Sequence, residues 1–350
     1  MTDFKHSRMT QKRIAELAGV SQSLVSLVLN KKFDGAAARI PDETRQRVLD
    51  VVGGTNYVPD PAARRLVGVG NKIIGVFTYE PAFPRESLDF YTPLLTGIEA
   101  QAESAGCDLL LFTSAPVVDG HRKLFHEKSM LALADGCLLL GLEMDGAELA
   151  RLVDSGFPFV AIGRRDTAGV AYVGVDYVSA TASAMRSALA LGHERFFYLH
   201  LDSVGESVMD RQRGFLQPLT DLPDGAVEML ATDGSNLESD WAAIREFEPT
   251  ALVVEMPSHA QRIHNLATRD GVSVPSDLSM IVLGEPSLGI AQDIDFTRLC
   301  PPRTELGAQA VTLLSRIISH SADPPAETSR ILLECPIADG STLAKAPRSA

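Results

Sequence analysis

The sequence has no apolar run approaching the roughly 18 uninterrupted residues a membrane span needs. Its opening, MTDFKHSRMTQKR, lacks the apolar core of a secretion leader, so a cytoplasmic protein is expected. Close-spaced cysteines are missing too: Cys107, Cys137, Cys300 and Cys335 form no CxxC pair. That argues against a disulfide framework or a zinc knuckle and for buried thiols in a reducing compartment. Catalytic signatures are absent, with no GxSxG, P-loop or HExxH. His121 and His126 are five apart, as are His259 and His264, a spacing that does not align two metal ligands on one helical face. These histidines are expected to be solvated, and no enzyme, metal or cofactor is expected. The stretch GVGNKIIG is no dinucleotide loop, because its glycines precede a strand instead of following one.

What is present is a 350-residue chain, 45% hydrophobic and 22% charged, long enough for two or three globular domains. Its net charge of −13 is unevenly spread. Residues 1–71 hold eleven Lys/Arg against seven Asp/Glu, while residues 72–350 hold 21 against 38. A small basic head on a large acidic body fits a polyanion met by the head alone.

Within the head, Thr10 is placed to cap a helix whose inward side carries Ile14, Leu17 and Ala18, with Ala15 small enough for close packing. Gly19 supplies the freedom a tight turn needs, and Ser21 caps a second helix with Leu24, Val25 and Val28 inward. Gln22, Ser23, Ser26, Leu27 and Asn30 are left outside. A third helix opens at Pro41, carries Asp42 and Glu43 in its first turn, and presents Val48, Leu49 and Val52. Three short helices with a tight first turn are the helix-turn-helix pattern. The outward side chains of the second helix suit base edges, and Lys12, Arg13, Lys31, Lys32 and Arg39 suit phosphates.

RIAELAGVSQSLVSLVLN, followed by PDETRQRVLDVV and NYVPDPAARRL, resembles the DNA-binding head of the LacI/GalR family of bacterial transcriptional regulators, over residues 10–66. By position, the resemblance puts base reading at Gln22, Ser23 and Leu27, with Thr10, Ser21, Ser26 and Asn30 anchoring phosphates or packing the helix. Tyr57 joins the DNA-binding set. Leu27 stands where the family usually has arginine; a leucine cannot make the bidentate guanine contact, though it can touch a thymine methyl. The connection KKFDGAAARI is longer than usual, so Lys31, Lys32 and Arg39 either add phosphate contacts or are solvated.

Residues 59–71 form a hinge. Pro61 can open a short helix through Leu66, too short to be stable alone and therefore suited to ordering on DNA. The resemblance implies that this helix pairs with its copy in a homodimer, with Ala63 at the helix pairing and Leu66 wedged into the minor groove.

From residue 72, IIGVFTY, CDLLLFT, GCLLLG and FPFVAIG, then RFFYLHL, AVEML, ALVVE and LSMIVLG, read as buried strands between helices. Two such sets imply two α/β lobes of doubly wound parallel sheet, the periplasmic-binding-protein-like layout, with a ligand between them at the strand carboxyl ends. The expected division is a helix-turn-helix domain at 1–58, the hinge at 59–71, and an effector-binding and dimerisation body at 72–350. Crossings near 175, 302 and 333 would give an N-lobe of about 72–175 and 303–333 and a C-lobe of about 176–302 and 334–345.

For the effector, the resemblance singles out Arg211, three before a glycine in SVMDRQRGF, and Asp176 in VGVDYVSA. A guanidinium suits hydroxyl pairs or a carboxylate; otherwise Arg211 is a surface residue paired with Asp210. Tyr79, Phe83 and Phe90 follow the first strand and either line the pocket or pack the core. Glu255-Met256 and Gly284-Glu285 replace amides and acids that relatives use for sugar hydroxyls, so a sugar is only the default effector. The expected protein is a sequence-specific regulator, in the first instance a ligand-responsive repressor, acting on double-stranded palindromic operator DNA. Control by a protein corepressor, or activation, is the alternative.

Overall fold

The computed structural model describes residues 9–29, 40–57, 70–80, 88–118, 121–127, 129–285, 294–319 and 329–347, with the side chains of 88–90 excepted. Asn30, Lys31, Lys32, Arg39, Ala63, Leu66, Phe83 and the side chain of Phe90 therefore lie outside the described residues. The chain divides into two compact units, residues 1–71 and 72–350.

The first unit is helical: α1 (Gln11–Ala18), α2 (Gln22–Leu29) and α3 (Asp42–Gly53). Thr10 caps α1, its hydroxyl accepting the Arg13 N–H at 3.3 Å, and Ser21 does the same for Leu24 at 3.2 Å. Between them Gly19 takes the left-handed conformation at φ 64° that ends α1 and turns the chain into α2. Ile14, Ala15, Ala18, Val25 and Val48 form the core, with Leu24, Val28, Val51, Val52 and Tyr57 packed around it. Leu17 and Leu49 depart from expectation, being 51% and 42% exposed. In each helix the buried residues centre on a direction about 100° away from that leucine, at 100° per residue, so each falls on the rim of a narrow face.

The second unit has two six-stranded sheets. The first orders β1 (Ile73–Thr78), β2 (Asp108–Phe112), β5 (Gly136–Leu140), β6 (Phe159–Ile162), β7 (Tyr172–Val175) and β13 (Arg330–Leu333) as β2-β1-β5-β6-β7-β13, all parallel. A two-stranded ribbon, β3 (Val117–Val118) with β4 (His121–Arg122), follows β2 in the chain. The second sheet orders β8 (Phe196–Leu201), β9 (Val227–Thr232), β10 (Ala251–Val254), β11 (Ser279–Val282), β12 (Thr297–Leu299) and β14 (Ile337–Ala338) as β9-β8-β10-β11-β12-β14. Its ladder is parallel except for β12 with β14.

Alternation along the strands explains why both faces are covered. Ile74, Val76, Leu138 and Leu140 face one layer; Phe77, Cys137 and Leu139 face the other. In the second sheet Phe196 and Tyr198 oppose Phe197 and Leu199 in the same way. The covering helices are α4 (Leu88–Ser104), α5 (Gly146–Ser155), α6 (Tyr177–Ala190), α7 (Glu206–Leu216), α8 (Leu237–Phe247), α9 (Pro257–Arg269) and α10 (Arg303–Ser319). Gly97 lets α4 and α10 meet, since a Cβ there would lie 1.9 Å from the Thr304 carbonyl oxygen.

Two strands read as buried are not. β2 and β9 stand at sheet edges and leave much of their side chains half-exposed or exposed. Among the cysteines, Cys137 and Cys335 are buried, but Cys107 and Cys300 are only half-buried. The four histidines expected in solvent are half-buried: His121 lies 3.9 Å from Glu143, and His264 sits edge-on to Phe296. Among the described residues no helix is long and apolar enough to cross a membrane, and no His/Cys/Asp/Glu group is arranged to hold a metal.

Candidate functional site

Two regions collect the predicted residues. In the helical unit, Gln22 and Ser23 are exposed at the start of α2, and Ser26 and Leu27 are half-exposed one turn on. Leu27 lies outside the cluster that buries Leu24, Val25 and Val28, leaving its side chain available on the outer face. Thr10 and Ser21 already serve as caps; each hydroxyl is accepting a backbone N–H, which still leaves its own proton to donate. Tyr57 packs against the core and is half-exposed. The amino-terminal end of α2, a cap with two exposed polar side chains beyond it, is the geometry that offers hydrogen-bonding groups to a groove.

In the second unit the carboxyl ends of both sheets are rich in charge. From the first lobe come Glu80 after β1, Glu143 after β5, and Arg164 and Arg165 after β6. From the second come Ser203 after β8, Glu255 after β10, Glu285 after β11, and α7.

Arg211 is buried, its side chain 10% exposed, and its Nη1 donates to Glu255 Oε1 at 3.3 Å and to the Ser207 carbonyl at 3.1 Å. The guanidinium lies 3.6 Å from the centre of the Tyr177 ring. Its Nε has no hydrogen-bond partner. Glu255 is 3% exposed and also accepts from Tyr198 Oη at 3.0 Å and Leu201 N–H at 3.1 Å. Burial, reinforced by the Glu255 charge, pushes the Tyr198 phenol well above its ordinary value, so it remains a donor. Burial also pushes the Cys335 thiol up to about 12, although Arg211 opposes the shift.

Arg211 is therefore not paired with Asp210. Asp210, on the neighbouring face of α7, binds Arg164 Nε at 2.6 Å and also Arg213. Asp176 caps α6 by accepting the Ser179 N–H at 3.0 Å. Asp176 and Tyr177, with Arg164, Asp210 and Arg213, line a cavity of about 120 Å³. Glu285 is half-buried, and its carbonyl accepts from Arg303 at 3.1 Å. Tyr79 belongs to the core: it is 1% exposed and meets Phe77 edge-on with ring centres 5.1 Å apart. It follows β1 in phase with Phe77, so its ring points into the α5 layer.

Sequence reasoning missed a row of contacts linking the lobes. Arg165, 4% exposed, binds Glu206 at 2.5 Å and donates to the Gly141 and Leu142 carbonyls at 2.6 and 3.3 Å. The Asp166 N–H donates to the other Glu206 oxygen at 3.2 Å. Farther along, Glu143 Oε1 accepts from Ser203 Oγ at 2.5 Å and the Val204 N–H at 3.1 Å. Gly205 permits the closest approach, because a Cβ there would sit 2.6 Å from the Leu142 carbonyl oxygen. The signal available in sequence was Arg164-Arg165 directly after an apolar strand, a charge pair where a ligand end is expected.

Comparison with known proteins finds two family matches: bacterial regulatory proteins of the lacI family over residues 10–60, and a periplasmic binding protein-like domain over residues 186–342. The HTH-type transcriptional regulator CelR of Thermobifida fusca is 25% identical over 334 residues, covering 91% of this chain and 95% of that one. The HTH-type transcriptional repressor PurR of Mannheimia succiniciproducens is 26% identical over 340 residues, covering 92% and 95%. Among solved structures, the lac repressor dimer bound to operator and the anti-inducer ONPF superposes with a TM-score of 0.77 at 19% identity, covering 97% of this chain and all of that one. A complex of CelR with cellobiose gives 0.64 at 21% identity, covering 96% and 100%.

Proposed function

Because this chain belongs to the lacI family of bacterial regulatory proteins, and is a DNA-binding transcription regulator with a ligand-binding type of body, we propose that it is a repressor of palindromic operators controlled by a small molecule. The observation that carries the reading is the capped α2, with Gln22 and Ser23 exposed at its start and Leu27 on the same outer side. Gln22 and Ser23 hydrogen-bond base edges, Leu27 contacts a thymine methyl, and Thr10, Ser21 and Ser26 donate to phosphates. Lys31, Lys32 and Arg39 extend the phosphate contacts through their charge, while the sequence resemblance gives Asn30 a phosphate contact and has Ala63 and Leu66 pair and wedge the hinge.

The protein acts as a homodimer in this reading. Leu109, Val117, Val118, Met130 and Leu133 of the first lobe are exposed apolar side chains that favour self-association. The effector sits between the lobes against Arg211. The Arg211 Nε, buried and without a partner, is the donor that a hydroxyl or carboxylate of the effector would meet, and Tyr177 and Glu255 fix the guanidinium plane. Cellobiose in the CelR complex makes an oligosaccharide a reasonable first compound to screen. Binding changes the angle between the lobes and uncouples the paired heads.

The test is selection of bound DNA from a random pool by the full-length protein at fixed near-physiological salt. A palindrome is expected, with log affinity falling by roughly 0.9 per phosphate contact per log unit of salt. Enrichment without a shared motif would refute sequence-specific reading.

A further inference from the structure

A row of contacts between the two lobes lies in sequence along α7 and the turn before it. Asp210 meets Arg164, Glu206 meets Arg165 and the Asp166 N–H, and Ser203 and Val204 meet Glu143. Every partner on one side comes from the first lobe and every partner on the other from the second. The charges are well removed from water: the Arg165 and Asp210 side chains are each 3% exposed, Arg164 16% and Glu206 18%. Such pairs hold only while both partners remain, since either charge left buried alone is strongly unfavourable. Rehydration of the separated ions offsets much of that cost, so the closed arrangement is favoured, but only by a modest margin.

We propose that these contacts form a latch: the body closes along its α7 flank without any effector, held by its own charges, and the contacts make and break as one unit. The backbone approach at Gly205, which leaves no room for a Cβ beside Leu142, couples them sterically. An effector then acts on lobes that are already engaged, and needs only a modest preference between the two arrangements to shift the population. The latch does not depend on what the effector is, or on Arg211 contacting it.

Two backbone amides read the latch directly, those of Asp166 and Val204, because each donates across the lobe boundary to a carboxylate. Their hydrogen exchange is to be measured by NMR on the full-length protein without DNA or added ligand. Both amides are expected to be protected. In Glu206→Ala the Val204 amide, whose own acceptor Glu143 is intact, should exchange at least about tenfold faster if opening is concerted. In Glu143→Ala the Asp166 amide should respond likewise, with Glu206 intact. Amides in β5 and β10, one strand from each sheet, report that both lobes remain folded, and either variant suffices if the other does not fold. Unprotected amides in the wild-type protein, or a distal amide that changes less than twofold in the variants, would overturn the latch.

Discussion

Replacing Glu255 with alanine tests the part of the cleft that geometry specifies most closely. The substitution leaves Arg211 buried beneath a 10%-exposed surface with no counter-charge, and removes the acceptor of Tyr198 Oη and Leu201 N–H. Breaking a buried pair from one side costs about 3–5 kcal/mol, and water entering the vacated space can re-satisfy part of the two neutral donors. For a body of this size each kcal/mol moves Tm by about 2–4 °C, so a fall of roughly 6–20 °C is expected. The single tryptophan of the sequence, Trp241, is buried in α8, so its fluorescence reports unfolding of the body and not of the head. The double variant Arg211→Met/Glu255→Leu removes both charges and should recover most of the loss, to within about 1 kcal/mol of the wild type. A drop below 2 °C for Glu255→Ala, or a double variant as unstable as the sum of the singles, would refute the account of Glu255 as the counter-ion of Arg211.

Leu27→Arg restores a guanidinium to the outer face of α2 and should shift the selected operator toward guanine at one symmetric position, by about 1–3 kcal/mol of discrimination; an unchanged selection profile would remove residue 27 from the bases. Arg211→Met should abolish response to whichever effector a screen finds, while operator affinity without effector stays within about threefold, since the head carries DNA contact; a normal response would take Arg211 out of the site. His193 is buried, its Nε2 against the Ala344 carbonyl, and burial depresses its pKa from the ordinary 6.5. The unfolded chain then binds the extra proton, so stability is full above about 6.5 and declines as pH falls below it; His193→Phe should flatten that acid limb in urea titrations at pH 5.5 and 7.5.

The features legible in sequence were those set by neighbours in the chain. Thr10 and Ser21 cap helices through residues three positions on, and Gly19 needs only its own φ to turn the chain. Strand cores such as FFYL and LVV declared themselves by apolar runs, but that β2 and β9 are edges depends on sheet order, which periodicity does not encode. Leu17 and Leu49 were misplaced because helices of 8 and 12 residues have too few turns to fix the buried direction to within one position. Arg211 could be singled out by resemblance, yet its partner Glu255 is 44 residues away, and Arg164 and Arg165 reach carboxylates 46 and 41 residues distant. Pairings of that range are products of the fold and leave no local mark.

Neither lobe is contiguous. The first sheet is completed by β13 at Arg330–Leu333, the second by β14 at Ile337–Ala338, and Thr342 then receives the Thr297 N–H at 2.9 Å. The head, with its own core ending at Tyr57, is finished nearly 300 residues earlier on the ribosome. At bacterial elongation speeds of about 5–20 residues per second, that separation lasts on the order of 15 to 60 s. During synthesis the chain therefore carries a formed head before it has a body able to govern it, and restraint of the reader arrives only once β13, β14 and Thr342 have been made.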